Sequence, residues 1–138
     1  MTRRSNKAIA IAVAATLALV AADLGSKAWA SANLSAERVG EPPPVCEGAG
    51  MQRIRTEPVV LIEGYLELSY AENCGAAFGL LRDAPDLLRR AIFGTAALAA
   101  AVVLFVMFVQ GRGGRFFAWS VPLIVSGAVG NLVDRIRY

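Results

Sequence analysis

Chemistry in this chain can come from few residues. There is no histidine among the 138, so Ser-His-Asp and Cys-His nucleophilic sites are excluded, as are His-ligated metals, and two cysteines cannot build a four-thiolate zinc site. Any catalysis must rest on carboxylates. The acids that stand inside or beside apolar stretches are Asp23, with Lys27 one turn further on, and Asp134, with Asn131 before it and Arg135 after it. At i, i+4 spacing Asp23 and Lys27 share a helix face, as do Asn131 and Arg135, while Asn131 and Asp134 pair at i, i+3. A third polar block, Tyr70-Ala-Glu-Asn73-Cys-Gly75-Ala-Ala77-Phe-Gly79, combines an asparagine that hydrogen-bonds readily in a turn with small residues that let another backbone approach.

Three apolar runs must position these groups. Ala8 to Ala22 is 15 residues without a charge, Ala91 to Val109 is 19 and Phe116 to Val133 is 18. At ~1.5 Å rise per residue the last two measure roughly 27 to 28 Å, close to the ~30 Å hydrocarbon core of a bilayer. A soluble core helix of that length would carry a polar face, and these carry none. The expected organisation is one membrane domain over 1–138: a first span over 8–32, an outer loop over 33–90 with a β-hairpin and an amphipathic helix, a second span over 91–109, a turn over 110–115 and a third span over 116–134. The fold class is therefore an all-α integral membrane bundle with a small extracytoplasmic β-sheet.

Composition agrees: 56% of the residues are hydrophobic and 18% charged, which excludes a disordered tail or a nucleic-acid module. The net charge is +3, but the basic residues flank the apolar runs instead of forming a patch, so no nucleic-acid partner is implied. Arg3, Arg4 and Lys7 precede the first run, and Arg112 and Arg115 lie between the second and third. By the positive-inside rule both flanks are cytoplasmic, which puts 33–90 and the C-terminus outside. A basic start, an apolar stretch and Ala28-Trp29-Ala30 also fit a secretory signal with its cleavage site, although Asp23 and Lys27 then fall awkwardly before the cut.

Within the outer loop, Glu41-Pro-Pro-Pro44 reads as a stiff extended piece. Val59 to Ile62, then Glu63-Gly64, then Tyr65 to Tyr70 reads as two strands about a tight turn, with Leu66, Leu68 and Tyr70 on an apolar face. Asp83 to Arg90 reads as a capped amphipathic lead-in to the second span. Cys46 and Cys74 would share an oxidising space and either pair or stay as two thiols.

Asp23 lies 16 residues after Lys7, and Asn131 lies 16 after Arg115. A helix lifts each about 24 Å, so both are expected in one layer near the outer edge of the hydrocarbon. The plain alternative is that these are helix-end charges reaching for the surface. Matched depth and an asparagine amide expected to be buried favour a site, because ionised groups in a span usually face a protein interior or a wet cavity.

Asp23-Leu-Gly-Ser-Lys27, Asn73-Cys-Gly75-Ala-Ala77-Phe-Gly79 and Gly127-Ala-Val-Gly130-Asn131-Leu-Val-Asp134-Arg135 resemble, in order and in topology, the signature blocks of bacterial lipoprotein signal peptidases, the signal peptidase II family. The resemblance covers essentially the whole chain. It implies an aspartic endopeptidase of the bacterial inner membrane that removes signal peptides from diacylglyceryl-modified prolipoproteins, cleaving before the lipidated cysteine. It further implies contact with membrane lipid, sensitivity of intact relatives to globomycin-type inhibitors, and no cofactor. Asp23, Lys27, Asn73, Gly75, Ala77, Asn131, Asp134 and Arg135 match the positions that support substrate binding and the active site.

In that family the two catalytic aspartates follow the Asn-x-x-Asp-Arg block, one of them in a fourth helix. The sequence stops at Tyr138, so the expectation is that the dyad and fourth helix lie beyond it, that no catalytic residue is present, and that the 138 residues alone are inactive. Asp23 and Asp134 are poor substitutes, since each has a cation beside it and two carboxylates sharing a proton do not suit such company. The alternatives are a non-catalytic membrane bundle that binds lipoprotein precursors or another partner, and an anchored protein whose first run is removed after Ala30.

Overall fold

A computed structural model describes residues 3–40, 53–72 and 84–137. Its element order is α1 (Asn6–Asn33), β1 (Ser35–Ala36), β2 (Ile54–Arg55), β3 (Val59–Ile62), β4 (Leu66–Leu68), α2 (Asp86–Val109) and α3 (Arg115–Arg137). All three helices are long and apolar enough to cross a membrane. The chain divides into two compact units, one of residues up to Gly25 together with those from Arg90 onward, the other Ser26–Arg89.

The first unit is a small helical bundle. Ser5 caps α1: its side-chain oxygen accepts from the Ala8 N–H at 3.3 Å, satisfying one donor a helix start leaves open, and its carbonyl accepts the first helical bond, from Ile9, at 3.1 Å. Ala12 of α1, Ala101 and Phe108 of α2, and Val121 and Val125 of α3 form the core. Small residues at Ala12 and Ala101 suit close approach of backbones in a setting where lipid competes with any larger apolar side chain. α3 has the most inward-facing surface, with Val121, Pro122, Val125, Ser126 and Gly130 buried. Large residues such as Leu98, Val102, Val103, Leu123 and Ile124 face outward instead, as a lipid-facing surface requires. Pro122 lacks the N–H that would bond to the Ala118 carbonyl, a loss that membrane helices tolerate where neighbouring helices cover the position.

α2 and α3 are joined by a five-residue turn, Gln110 to Gly114, whose geometry is set by glycine. Gly111 has φ +71°; its N–H bonds to the Phe108 carbonyl at 3.0 Å, and the Arg112 N–H bonds to Met107 at 3.0 Å. That is a Schellman closure, and only glycine enters its left-handed position at no steric cost. Gly113 has φ +75°, and a Cβ there would lie 2.6 Å from the Phe117 ring, so any side chain is excluded twice over.

In the second unit the end of α1 turns into a strand. Leu34 and Ser35 are buried, and the carbonyls of the last turn are taken by Asn33 Nδ2 on Trp29 at 2.8 Å and Ser35 Oγ on Ser31 at 2.7 Å. β1 pairs antiparallel with β2, Ser35 opposite Arg55 and Ala36 opposite Ile54. β3 and β4 form the antiparallel hairpin, with Val59 opposite Leu68, Val60 opposite Glu67, an irregularity after Val60, and Ile62 opposite Leu66. Gly64 supplies the turn at φ +72°.

Several expectations change here. The strand residues come as two separate two-stranded pieces, and β4 stops at Leu68, with Tyr65 in the turn and Tyr70 beyond the strand. Both faces of the hairpin are exposed, so the alternation in β4 does not translate into one covered face. A two-stranded ribbon with no layer packed on it has no inside. Asp86 to Arg90 forms the first turns of α2 without a break, and there Leu87 and Leu88 are exposed while Arg89 is buried. The segment Glu41–Pro44, the two cysteines Cys46 and Cys74, and Asp83 lie outside the described residues.

Candidate functional site

Of the residues the sequence singles out, Asp23 and Lys27 stand on α1 and Asn131, Asp134 and Arg135 on α3, while Asn73, Gly75 and Ala77 lie outside the described residues. Asp23, Lys27, Asp134 and Arg135 are all half-buried, and Asp23, Lys27 and Asp134 each engage a partner. Asp134 continues the inward stripe Pro122, Ser126 and Gly130 at four-residue spacing, so the helix carries it round to the side that packs. Asn131 is exposed, contrary to the expected buried amide. One residue past Gly130, it sits 100° round the helix from the buried stripe.

Arg135 is held on two sides. Its guanidinium lies over the Phe93 ring at 5.3 Å and donates to the Asn131 carbonyl at 3.3 Å. Arg90 donates in turn to the Arg135 carbonyl at 3.1 Å. A ring face attracts a cation electrostatically, and a planar guanidinium can lie flat on it while its edge donates hydrogen bonds in a fixed fork, a geometry an ammonium lacks. Close approach of α2 makes this possible: a Cβ on Gly94 would meet the Leu132 side chain at 3.3 Å. The arrangement holds a fixed positive charge and a carboxylate on neighbouring positions of α3, suited to orienting a polar backbone or headgroup at the end of a membrane helix.

Sequence reasoning passed over Arg90 and Phe93 as parts of a lead-in and an apolar run. No spacing rule links them to Arg135, because their meeting depends on how α2 and α3 pack. A second set was also missed, in the other unit. Arg53 Nε donates to Ser35 Oγ at 2.6 Å, its Nη2 reaches the Ser31 carbonyl at 3.4 Å, and its Nη1 stands 3.9 Å from Glu37. The Arg53 backbone N–H donates to Glu72 Oε1 at 2.9 Å, and the Tyr70 hydroxyl donates to the same oxygen at 3.0 Å. Burial, followed by the hydrogen bond to Glu72 and its negative charge, pushes the Tyr70 hydroxyl up to about 12, with Arg53 pulling the other way. Arg55 Nε donates to the Tyr70 carbonyl at 2.7 Å. These bonds fix Tyr70 and Glu72, the residues leading into the Asn73 block, against the end of α1. Among the described residues no group of three or more His, Cys, Asp or Glu could hold a metal ion.

Three apolar helices, with charged and amide side chains gathered at one helix end, define a multi-pass membrane protein. Residues 15–138 match the family model of signal peptidase (SPase) II, and the chain belongs to that family. It is 37% identical over 82 residues to the lipoprotein signal peptidase of Clostridium tetani, covering 59% of this chain and 50% of that one. With the lipoprotein signal peptidase of Syntrophus aciditrophicus it shares 39% over 83 residues, 59% of this chain and 52% of the relative. With that of Chlorobium phaeobacteroides it shares 41% over 80 residues, 58% and 48%. The chain thus spans about half the length of the curated relatives it matches. No solved structure matches it.

Proposed function

We propose that the protein serves the removal of signal peptides from diacylglyceryl-modified prolipoproteins in the bacterial inner membrane, before the lipidated cysteine. Asp23, Lys27, Asn73, Gly75, Ala77, Asn131, Asp134 and Arg135 bind substrate and support the active site. The support for this reading is the family match over 15–138 joined to the Asn131-x-x-Asp134-Arg135 block, whose arginine is fixed by ring and backbone contacts. The first span occupies 8–32, the outer loop 33–90, the second span 91–109, the inner turn 110–115 and the third span 116–134. The N-terminus is cytoplasmic and the loop and C-terminus extracytoplasmic.

The reaction is aspartic hydrolysis. One carboxylate takes a proton from the attacking water while a second, protonated one donates to the scissile carbonyl, and the two share a proton because like charges close together cannot both ionise. Residues 1–138 carry the supporting positions and lack that pair. Asp23 and Asp134 are assigned to structure and substrate orientation, each with a cation at hand. Hence the 138 residues hold the acylated precursor without turnover, and in intact relatives a globomycin-type inhibitor competes with it.

The test offers the purified chain in detergent a diacylglyceryl-modified prolipoprotein and the same precursor without its lipid. The expected outcome is at least about tenfold tighter binding of the lipidated form, roughly 1.4 kcal/mol, with no cleavage of either. Equal affinity for both forms overturns the substrate assignment, and cleavage by the 138 residues overturns the assignment of a supporting role.

A further inference from the structure

The opposite end of the helical unit is built differently from the polar end. Arg4 closes the C-terminus of α2: its N–H donates to the Val109 carbonyl at 3.1 Å, its Nε donates to the Phe108 carbonyl at 3.1 Å, and its guanidinium lies 4.6 Å from the centre of the Phe108 ring. The Val106 and Met107 carbonyls accept from the Gln110 and Arg112 N–H groups. The last acceptors of α2 are therefore already occupied. Beside this closure lies an open cavity of about 330 Å³ lined by Arg3, Val109, Gln110 and Arg112. Its polar side chains are two guanidinium groups and an amide, all on exposed residues.

The field there has one sign. Arg3, Arg4, Lys7, Arg112 and Arg115 cluster at the helix starts and the turn, and neither 1–22 nor 91–133 contains an aspartate or glutamate. Among the described residues no acidic side chain pairs with Arg3 or Arg112. A cavity bordered by occupied helix-end carbonyls, with two guanidinium groups and one neutral amide in its wall, favours an anion, and guanidinium groups match the oxygens of phosphate in pairs. Next to it the helices present outward apolar side chains: Val106 at 45% exposure, Phe116 at 92% and Trp119 at 68%. A tryptophan at such a position marks the depth of lipid headgroups.

We infer that the cavity between Arg3 and Arg112 binds the phosphate of an anionic phospholipid headgroup, whose acyl chains run along the outward faces of α2 and α3. Basic pockets between membrane helices are suited to such headgroups. The site is separate from the proposed substrate positions and goes beyond that function. Arg4 braces the cavity wall and stays out of the ligand set, because its guanidinium is committed to Phe108.

The purified 138-residue chain in nonionic detergent is titrated with short-chain phosphatidylglycerol, short-chain phosphatidylcholine and inorganic phosphate, and binding is followed by native mass spectrometry and by the shift in Tm. Saturable binding of phosphatidylglycerol is expected, about tenfold tighter than either of the others. The double variant R3Q/R112Q loses about tenfold of that affinity with an unchanged ligand-free Tm, and R115Q, outside the cavity, changes it less than twofold. Equal binding of phosphatidylcholine overturns the charge assignment. Inorganic phosphate binding as tightly as the lipid overturns the lipid assignment. An equal loss in R115Q and in the double variant shows diffuse attraction to a basic end, which overturns the site. The lipid comparisons need no variant and stand if one fails to fold.

Discussion

At each end of the helical unit an arginine lies over a phenylalanine ring and donates to a main-chain carbonyl: Arg4 with Phe108 at the start of α1, Arg135 with Phe93 at the end of α3. At the first, the arginine comes from outside the helix it serves and closes it. Arg4 adds two bonds to the terminal carbonyls of α2, where a cation also meets the negative end of the helix dipole. At the second, the arginine belongs to the helix whose carbonyl it reaches, one turn back, and it is itself held by Arg90. One is a structural latch and the other a charge held in place. A third arginine sharpens the contrast. Arg53 reaches the Ser31 carbonyl near the end of α1 as Arg4 reaches those of α2, but through a hydrogen-bonded network with Ser35, with the acid Glu37 at 3.9 Å and, among the described residues, no ring.

The largest expected effect breaks the latched end through its turn. Gly113→Ala puts a Cβ against Phe117 at a positive φ and should cost about 2 to 3 kcal/mol, read as a lower midpoint in denaturant titration of the detergent-solubilised chain. A midpoint matching the parent would mean the turn has room to relax. Next, Arg4→Gln removes two charge-assisted contacts with α2 and the ring, and about 1 to 2 kcal/mol of stability is expected to go with them. Arg135→Lys should do the reverse: stability within about 0.5 kcal/mol of the parent, but affinity for the lipidated precursor about tenfold lower, because an ammonium keeps the charge and loses the fork. If R135K destabilises as much as R4Q, the distinction between latch and held charge fails.

The smallest effect concerns the third arginine's network. The Tyr70 hydroxyl, at about 12 in the folded chain against an ordinary 10.0, holds its proton more tightly folded than unfolded. Its contribution to stability is therefore complete below pH 10 and disappears as pH rises through about 12. A tyrosinate absorbance titration should show one tyrosine ionising last, and Tyr70→Phe should remove that step and the associated fall in stability. Persistence of the late step in Y70F would assign it to another tyrosine.

Much of this molecule is readable in order along the chain. The apolar stretches ending at Val109 and beginning at Phe116 announce α2 and α3, and the glycines between them announce the turn, because length, hydropathy and left-handed backbone are local properties. The signature blocks around Asp23, Asn73 and Asn131 pointed to the signal peptidase II family that the comparison over residues 15–138 then supplied. Alternation in β4 was legible and misleading, since Leu66 and Leu68 have an apolar face that nothing among the described residues of the second unit covers. Asn131 was likewise misplaced as buried: a helix-end amide in an apolar run looks interior until the stripe Pro122, Ser126, Gly130 and Asp134 shows which side packs.

What the order of residues determined alone is a greasy chain without histidine, three spans, a basic end with no acid near it, and the motif that names its family. Hydrophobic length, charge sign and short spacings are properties of neighbours in sequence, and so they need no fold to be read. Packing alone decided which of fourteen basic residues latch a helix, which hold a charge and which line a cavity. Arg4 finds Phe108 across 104 positions and Arg90 finds Arg135 across 45. A guanidinium is the same donor wherever it stands in the chain, and only the approach of distant helices selects its ring and its carbonyl.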